Sequence, residues 1–232
     1  FEQIPEIITD NPDERVGIEI RVPLNYAARN YDSIWLVTNL GPFHAFAYRP
    51  VEQYLVRHFY RVGAVEDIAP NARLIHFDTT PAPTYDYHYG TLYITDREPF
   101  AFGESVLLSG YDFLAQIHPG EVLPVALQWE STGRVDFDYN IGVFLINDDG
   151  SLVAESNGQP QGSFGYTSRW EPGVLEGDNH GVWIPEWLPA GRYRLQVVMY
   201  DWRDSSRLSV TKNDEPIEGD FAEIGDIEVK LQ

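Results

Sequence analysis

Cysteine is absent from this chain of 232 residues, which excludes disulfide scaffolds, thiolate metal sites and cysteine nucleophiles. The absence does not fix a compartment, because a chain of this length buries a core large enough to fold without covalent staples. Lysine is almost as scarce: Lys212 and Lys230 are the only two, and Arg carries the remaining positive charge. Sixteen basic residues face 36 acidic ones, for a net charge of −20. That acidity repels phosphate backbones and anionic headgroups, so nucleic acid is disfavoured as a partner. Its plainest use is solubility. No apolar run approaches the roughly 18 residues of a membrane span, and no basic, apolar leader opens the chain. It begins at Phe1 and not at Met, and is expected to be a processed protein or a piece of a longer one.

Motifs of catalysis are also missing. There is no G-x-S-x-G elbow, no glycine-rich phosphate loop with Lys and no H-E-x-x-H. The six histidines, at 44, 58, 76, 88, 118 and 180, show no paired ligand spacing. His76 sits in an apolar strand and reads as a core residue. Ser168 has no identifiable His and Asp partners in the sequence. Paired carboxylates for glycoside hydrolysis mean little among 36 acidic residues, because some pair always falls at a suitable separation. Asp136-x-Asp138-x-Asn140 opens like a calcium loop. However, Ile141 stands where a glycine must make the sharp turn, and the distal Glu is missing. Asp148-Asp149-Gly150 is an ordinary acidic turn. No metal and no cofactor are expected.

What is present is β-structure. From Phe100 onward, short alternating segments are separated by Pro-Gly, Asp-Gly and Ala-Gly turns. In Val122–Trp129 the residues Leu123, Val125, Leu127 and Trp129 share one face, with Pro124, Ala126 and Gln128 on the other. Arg192–Tyr200 alternates likewise, with Tyr193, Leu195, Val197 and Met199 on the apolar side. Tyr139–Ile146 is apolar on both faces and reads as a central strand. Asn147–Gly150 is a hairpin turn into Leu152–Glu155, and Glu223–Leu231 is the last strand. The pattern predicts a mainly β chain: an antiparallel β-sandwich, jelly-roll or immunoglobulin-like, over 100–232, with no helix of usual length.

The first 84 residues are mixed. Ser33–Thr38 and Ala72–Phe77 read as strands. Pro50–Tyr60 places Val51, Tyr54, Leu55 and His58 at helical spacing behind a proline in the first turn. Strand, helix, strand is the order of a βαβ unit, so a short α/β segment is expected to precede the sandwich, as the tail of a larger module or as an addition packed against the sandwich. Residues 85–99, rich in Tyr, Thr and Pro, read as a linker, with an edge strand at Thr91–Thr95. The Tyr85, Tyr87, Tyr89 and Tyr93 cluster is expected to cover a seam rather than form a stacking platform. Through Glu98 there are 8 basic and 14 acidic residues; the remainder has 8 and 22, so the sandwich holds most of the acidity.

Several segments together carry a family resemblance. They are Pro119-Gly120-Glu121 before LPVALQW, Asp138-Tyr139 with VFLINDDG, Asn157-Gly158-Gln159-Pro160, Thr167-Ser168-Arg169-Trp170-Glu171-Pro172-Gly173, Asp178, and Pro189-Ala190-Gly191-Arg192-Tyr193 with MYD and RLSV. In order and spacing they resemble the C-terminal extracytoplasmic domain of bacterial family 39 membrane glycosyltransferases, the protein-mannosyltransferase-like enzymes that use polyprenyl-phosphate sugar donors. IWLVTNL, PVEQYL and ARLIHF look like the end of the α/β region that follows the membrane spans there. The chain departs from the family pattern at Asn157, where an Asp is expected, and at Tyr166, where a Pro is expected. The family's catalytic acidic residues lie in its first extracytoplasmic loop. Nothing here matches that loop, so no catalytic residue carries over.

The resemblance implies a location outside the membrane, tethered through upstream spans of a parent protein, and a non-catalytic accessory role. A glycan, acceptor or product, is the implied partner. The candidate sugar-binding residues are Asn157, Tyr166, Arg169, Trp170 and Asp178, in and after one long loop, with Trp183, Trp187 and Trp202 nearby in sequence. Aromatic faces stack on sugar C–H bonds, and Asn, Asp and Arg fix hydroxyls. The competing role for each Trp is to plug the sandwich ends, as Trp129 does in its alternating strand. A second reading, from a different class, is a structural or adhesive surface module whose exposed strand edges pair between copies. A free-standing hydrolase comes third.

Overall fold

The computed structural model describes residues 16–39, 49–70, 72–80, 82 and 94–231. Helix α1 (Ile18–Asn30) and strand β1 (Ser33–Asn39) lead to helix α2 (Pro50–His58) and strands β2 (Tyr60–Ala69) and β3 (Ala72–Asp78). Then come β4 (Thr95–Phe102), β5 (Val106–Phe113), β6 (Gln116–Ile117), β7 (Val122–Ser131), β8 (Asn140–Ile146) and β9 (Leu152–Gly158). A four-residue turn of helix, α3 (Pro160–Ser163), precedes β10 (Leu175–Trp183), β11 (Gly191–Tyr200), β12 (Val210–Lys212), β13 (Glu215–Ile217) and β14 (Ala222–Val229).

The strands form two sheets, and the mainly β sandwich expected from the sequence is the fold. A nine-stranded sheet runs β1-β3-β2-β10-β7-β5-β4-β12-β13, and a five-stranded sheet runs β6-β14-β11-β8-β9. Between them lie the alternating residues singled out above: Leu123, Val125, Leu127 and Trp129 of β7, and Leu195, Val197 and Met199 of β11, all fully buried. The opposite face of β7 is covered too. Ala126 packs with Tyr60 and Ala82, so β7 is buried on both sides.

The N-terminal segment continues the larger sheet. Its strands do not make the βαβ crossover expected of them, because β1 pairs antiparallel with β3, from Ser33↔Asp78 to Asn39↔Ala72. The parallel contact lies elsewhere, where β2 meets β10 at Arg61 and Val62. β2 has no alternating signature because its outer half is exposed. Helix α2 starts and stops as its sequence requires: Pro50 and Glu52 lie in the first turn, Arg57 and His58 in the last. It lays Tyr54, Leu55 and Val56 on Ile75 and Phe77 of β3. Helix α1 is hidden in the sequence by Pro23, which removes an internal hydrogen bond. Packing of Ile20, Leu24 and Ala28 on the α2 core holds it instead. The expected linker, 85–99, lies outside the described residues up to 93, and from Thr95 it is already strand β4. The Tyr85–Tyr93 cluster and the edge strand expected at 91–95 fall largely on residues that are not described.

Candidate functional site

Three connections meet at one end of the sandwich: β7–β8 (132–139), β9–β10 (159–174) and β11–β12 (201–209). The long β9–β10 loop is pinned from beneath. Thr167, fully buried, donates its hydroxyl to the Phe137 carbonyl at 2.6 Å and accepts the Tyr139 N–H at 3.0 Å. The Ser168 N–H adds a bond to Asp138 at 3.0 Å. Trp170 folds inward against Trp129, ring centroids 6.2 Å apart, and donates its indole N–H to the Gly165 carbonyl.

The burial of Trp170 corrects one expectation: this ring plugs the core and has no face free for a sugar. Asp178 is corrected likewise, being buried in β10. Trp183 is exposed but sits at the other end of β10, about 26 Å along the strand from Leu175 at a rise of ~3.3 Å per residue. Trp187 is exposed at that far end as well. The structure does bring Asn157, Tyr166, Arg169 and Trp202 to the loop end. Arg169 lies over the Tyr166 ring at 4.8 Å. Asn157 accepts a hydrogen bond from the Tyr200 hydroxyl, which in turn accepts from the Asn140 amide at 3.2 Å. Trp202, two residues beyond Tyr200, is 55% exposed. Tyr200 and Asn140 escaped the sequence reading, though both fall on the outward parity of their strands.

Beneath this end lies a second constellation that the sequence search for nucleophiles did not find. The Ser156 hydroxyl, on β9, is 3.2 Å from Nδ1 of His180, and Nε2 of His180 is 2.7 Å from Oδ2 of Asp178. Nε2–H donates to the carboxylate, and Nδ1 and the serine hydroxyl share one hydrogen bond whose direction follows the proton count of the ring. Oδ1 of Asp178 accepts the Gln161 N–H at 2.8 Å. Burial alone would raise the Asp178 carboxyl. The His180 ring, the two hydrogen bonds and the Arg61 charge outweigh it and hold the group below the usual carboxylate range. The signal that could have revealed the pair is Asp178-x-His180, two residues apart in a strand and hence on one face.

These residues have the identities of a hydrolytic triad but not its access. Ser156 is 7% exposed and lies between the sheets, opposite Val143 in the β8–β9 register. A nucleophile must meet a substrate carbonyl beside oxyanion donors, and an enclosed hydroxyl cannot. The relay instead fastens β9 of the small sheet to β10 of the large one, where the apolar core ends.

Next to it, the inner face of the α/β segment is ionic. Glu52, 2% exposed, bonds Arg49 at 2.8 Å and Arg73 at 3.0 Å. Burial pushes the Glu52 carboxyl up, against the pull of Arg49 and Arg73. Arg61 reaches in from β2, and burial pulls it down against the Asp178 and Glu52 charges. A groove on the opposite edge of the small sheet carries Gln116, Arg192, Asp226, Glu228 and Lys230. Its cations are matched, Lys230 with Gln116 and Glu228, and Arg192 with Asp226. Among the described residues no group of three or more acidic or histidine side chains is placed to hold a metal. No helix among them is long and apolar enough to cross a membrane.

No family model matches the chain, and no curated protein does. Among solved structures, it is similar to the C-terminal domain of wzt, at 12% identity and TM-score 0.40, over 59% of this chain and 81% of that one. A CARDB domain from Pyrococcus furiosus aligns at 14% identity and TM-score 0.33, over 60% of this chain and all of that one. A Niemann-Pick type C2 protein from the Japanese carpenter ant aligns at 10% and 0.34, over 60% of this chain and all of its own. Likenesses this distant do not bear on what the chain does.

Proposed function

We propose that the chain is a non-catalytic recognition domain that holds a glycan at the loop end of its sandwich. On this reading it serves, outside the membrane, a parent glycosyltransferase of the family 39 type. The observation that supports the glycan reading is the placement of aromatic and amide side chains at one end of the sandwich. Tyr166, with Arg169 over one face of its ring, and the exposed Trp202 come from two different loops at that end, where Asn157, Tyr200 and Asn140 form a chain of hydrogen bonds. Flat aromatic faces with a few fixed polar groups at their rims suit a sugar ring, which is apolar on its C–H faces and polar at its edge. The parent context rests on the motif order given above. Calorimetric titration against a panel of oligosaccharides tests the binding. Deletion of this domain from the full-length parent tests the accessory role. No heat with any sugar, together with full parent activity after deletion, rejects the proposal.

A specific feature favours the second reading, a structural or adhesive module. Among the described residues, strand β1, Ser33–Asn39, is an edge of the large sheet and holds no charged residue, while Trp35 and Val37 are 55% and 61% exposed. Natural edges are usually guarded by charge, proline or a bulge. Light scattering of the purified chain decides: filaments or lattices support pairing through β1, and a monomer at high concentration removes it.

A further inference from the structure

Three arginines and two carboxylates meet where the α/β segment joins the sandwich. Both carboxylates are fully engaged. Glu52 accepts from Arg49 through both oxygens, at 2.8 and 3.0 Å, and from Arg73 at 3.0 Å. Asp178 accepts from His180 through one oxygen and from the Gln161 N–H through the other. Arg61 is the cation left over. Among the described residues no group hydrogen-bonds its guanidinium or lies within ion-pair distance of it. The Asp178 and Glu52 charges act on it only through space, so the five N–H donors of the guanidinium lack direct acceptors, which is costly inside a protein.

The guanidinium is not sealed. Arg61 is part-exposed, and two glycines stand against its head. A Cβ at position 158 would come within 2.9 Å of Nη2, and one at 162 within 3.5 Å of Nη1. A side chain at 158 would crowd the fork directly, whereas one at 162 would first meet Val56, at 2.7 Å, and only touch the fork. Both backbones also sit at positive φ, 151° and 62°, which glycine adopts most readily. Tyr166 and Arg169 stand on the same loop a few residues on, and the Tyr166 hydroxyl is near enough to Arg49 to feel its charge. The cations of the groove at β6 and β14, by contrast, are matched on the protein itself. A local surplus of positive charge is thus kept open in a chain of net charge −20.

From this we infer that the loop-end site takes an acidic glycan, whose carboxylate or phosphate is received by the Arg61 fork between Gly158 and Gly162. This rests on the glycan reading above and specifies its ligand. A planar two-donor fork fits a two-oxygen acceptor, and the paired, charge-assisted bonds fix its orientation as well as its charge. The sugar ring then extends toward Tyr166 and Arg169.

The test is calorimetric titration of the whole chain with trigalacturonate, glucose 6-phosphate, maltotriose and inorganic phosphate, at low and high salt. At least one acidic sugar should bind about tenfold or more tighter than maltotriose, and added salt should narrow the gap. Which acidic sugar binds tells carboxylate from phosphate. R61Q should erase the preference. Near-UV circular dichroism checks that R61Q is folded; should it not be, the exposed R169Q should weaken acidic-sugar binding several-fold. Maltotriose bound as tightly as the acidic sugars, with no effect of salt or of R61Q, overturns the inference and leaves the glycan reading standing. Inorganic phosphate bound through Arg61, with no sugar bound, overturns the glycan reading and the acidic-glycan assignment with it. No binding of any anion overturns the inference outright.

Discussion

Over β7, β5 and β4 the nine-stranded sheet is covered by a second sheet, and the layer between is apolar: Phe102, Leu108, Leu123, Leu127 and Trp129 meet Ile141, Leu145 and Leu195. Over β2 and β3 the same sheet is covered by a helix, and the layer changes character. A small apolar cluster around Leu55, Ile75 and Phe77 is bordered by Glu52, Arg49, Arg73 and Arg61. The Ser156–His180–Asp178 relay stands at the boundary between the two. The inward row of β10 shows the change in one strand, running from Val182, opposite Leu123, through His180 and Asp178 to Glu176. Where two sheets face each other, dispersion and burial suffice. Where the small sheet ends, the edge strand β9 is fastened by directed bonds, which are weaker in sum but fix position.

If the dry layer carries the fold, removing its largest member should have the largest effect. Trp129 is fully buried and packs on Phe102 at 5.3 Å and on Trp170. Trp129→Ala is expected to cost about 3–5 kcal/mol in urea unfolding. A cost below about 1 kcal/mol would mean that the sandwich core is not where the stability lies.

Asp178→Asn follows, at about 3 kcal/mol, because it removes the charge that faces both His180 and Arg61. It carries a pH signature as well. The folded pKa of Asp178 lies below its unfolded value, so its contribution is present above about pH 4 and is lost as pH falls through the folded value. The urea midpoint of the parent chain should therefore fall with acid in that window, and the Asp178→Asn midpoint should fall less steeply. Equal slopes for the two proteins would remove Asp178 from the boundary's energetics.

Leu55→Ala probes the other side. Leu55 is fully buried, but its cluster is small and bordered by part-exposed helix, so the site can collapse around the gap. About 2 kcal/mol is expected, at the low end for such a change. Hydrogen exchange should show α2 and β3 opening faster than β7 in this variant, with β7 unchanged. If β7 loosens as well, the two layers unfold as one unit.

The two regions also differ in how much of them the sequence discloses. Period-two alternation exposed β7 and β11 because both face the dry layer, and the turns Asn147–Gly150 and Pro189–Gly191 bound their neighbours. The N-terminal topology stayed hidden for physical reasons. β2 exposes most of its length, so it has no alternation, and α1 is held by tertiary packing despite Pro23. Without β2 in view, strand, helix, strand suggested a crossover that β1 and β3, paired antiparallel, do not make. At the site, composition pointed to Asn157, Tyr166, Arg169 and Trp202, which stand on connections and strand ends at the loop end. It misplaced Trp170, because an indole in a loop gives no sign of whether it turns in or out. Arg61 and Ser156 could not be found from sequence, since what marks them is the company of distant strands.

The smallest expected effect on stability separates the two ends of the sandwich. Trp202 and Trp183 are both exposed, 55% and 43%, and neither belongs to a buried cluster. Truncating either to Ala should change the unfolding free energy by no more than about 0.5 kcal/mol. Binding should tell them apart. Trp202 stands two residues beyond Tyr200, whose hydroxyl bonds Asn157, so Trp202→Ala should weaken glycan binding about tenfold, as loss of an aromatic anchor does. Trp183 lies at the far end of β10, and Trp183→Ala should leave the affinity unchanged. The reverse result, affinity lost with Trp183 and kept without Trp202, would move the ligand to the end that holds Trp187 and take the Arg61 fork out of its reach.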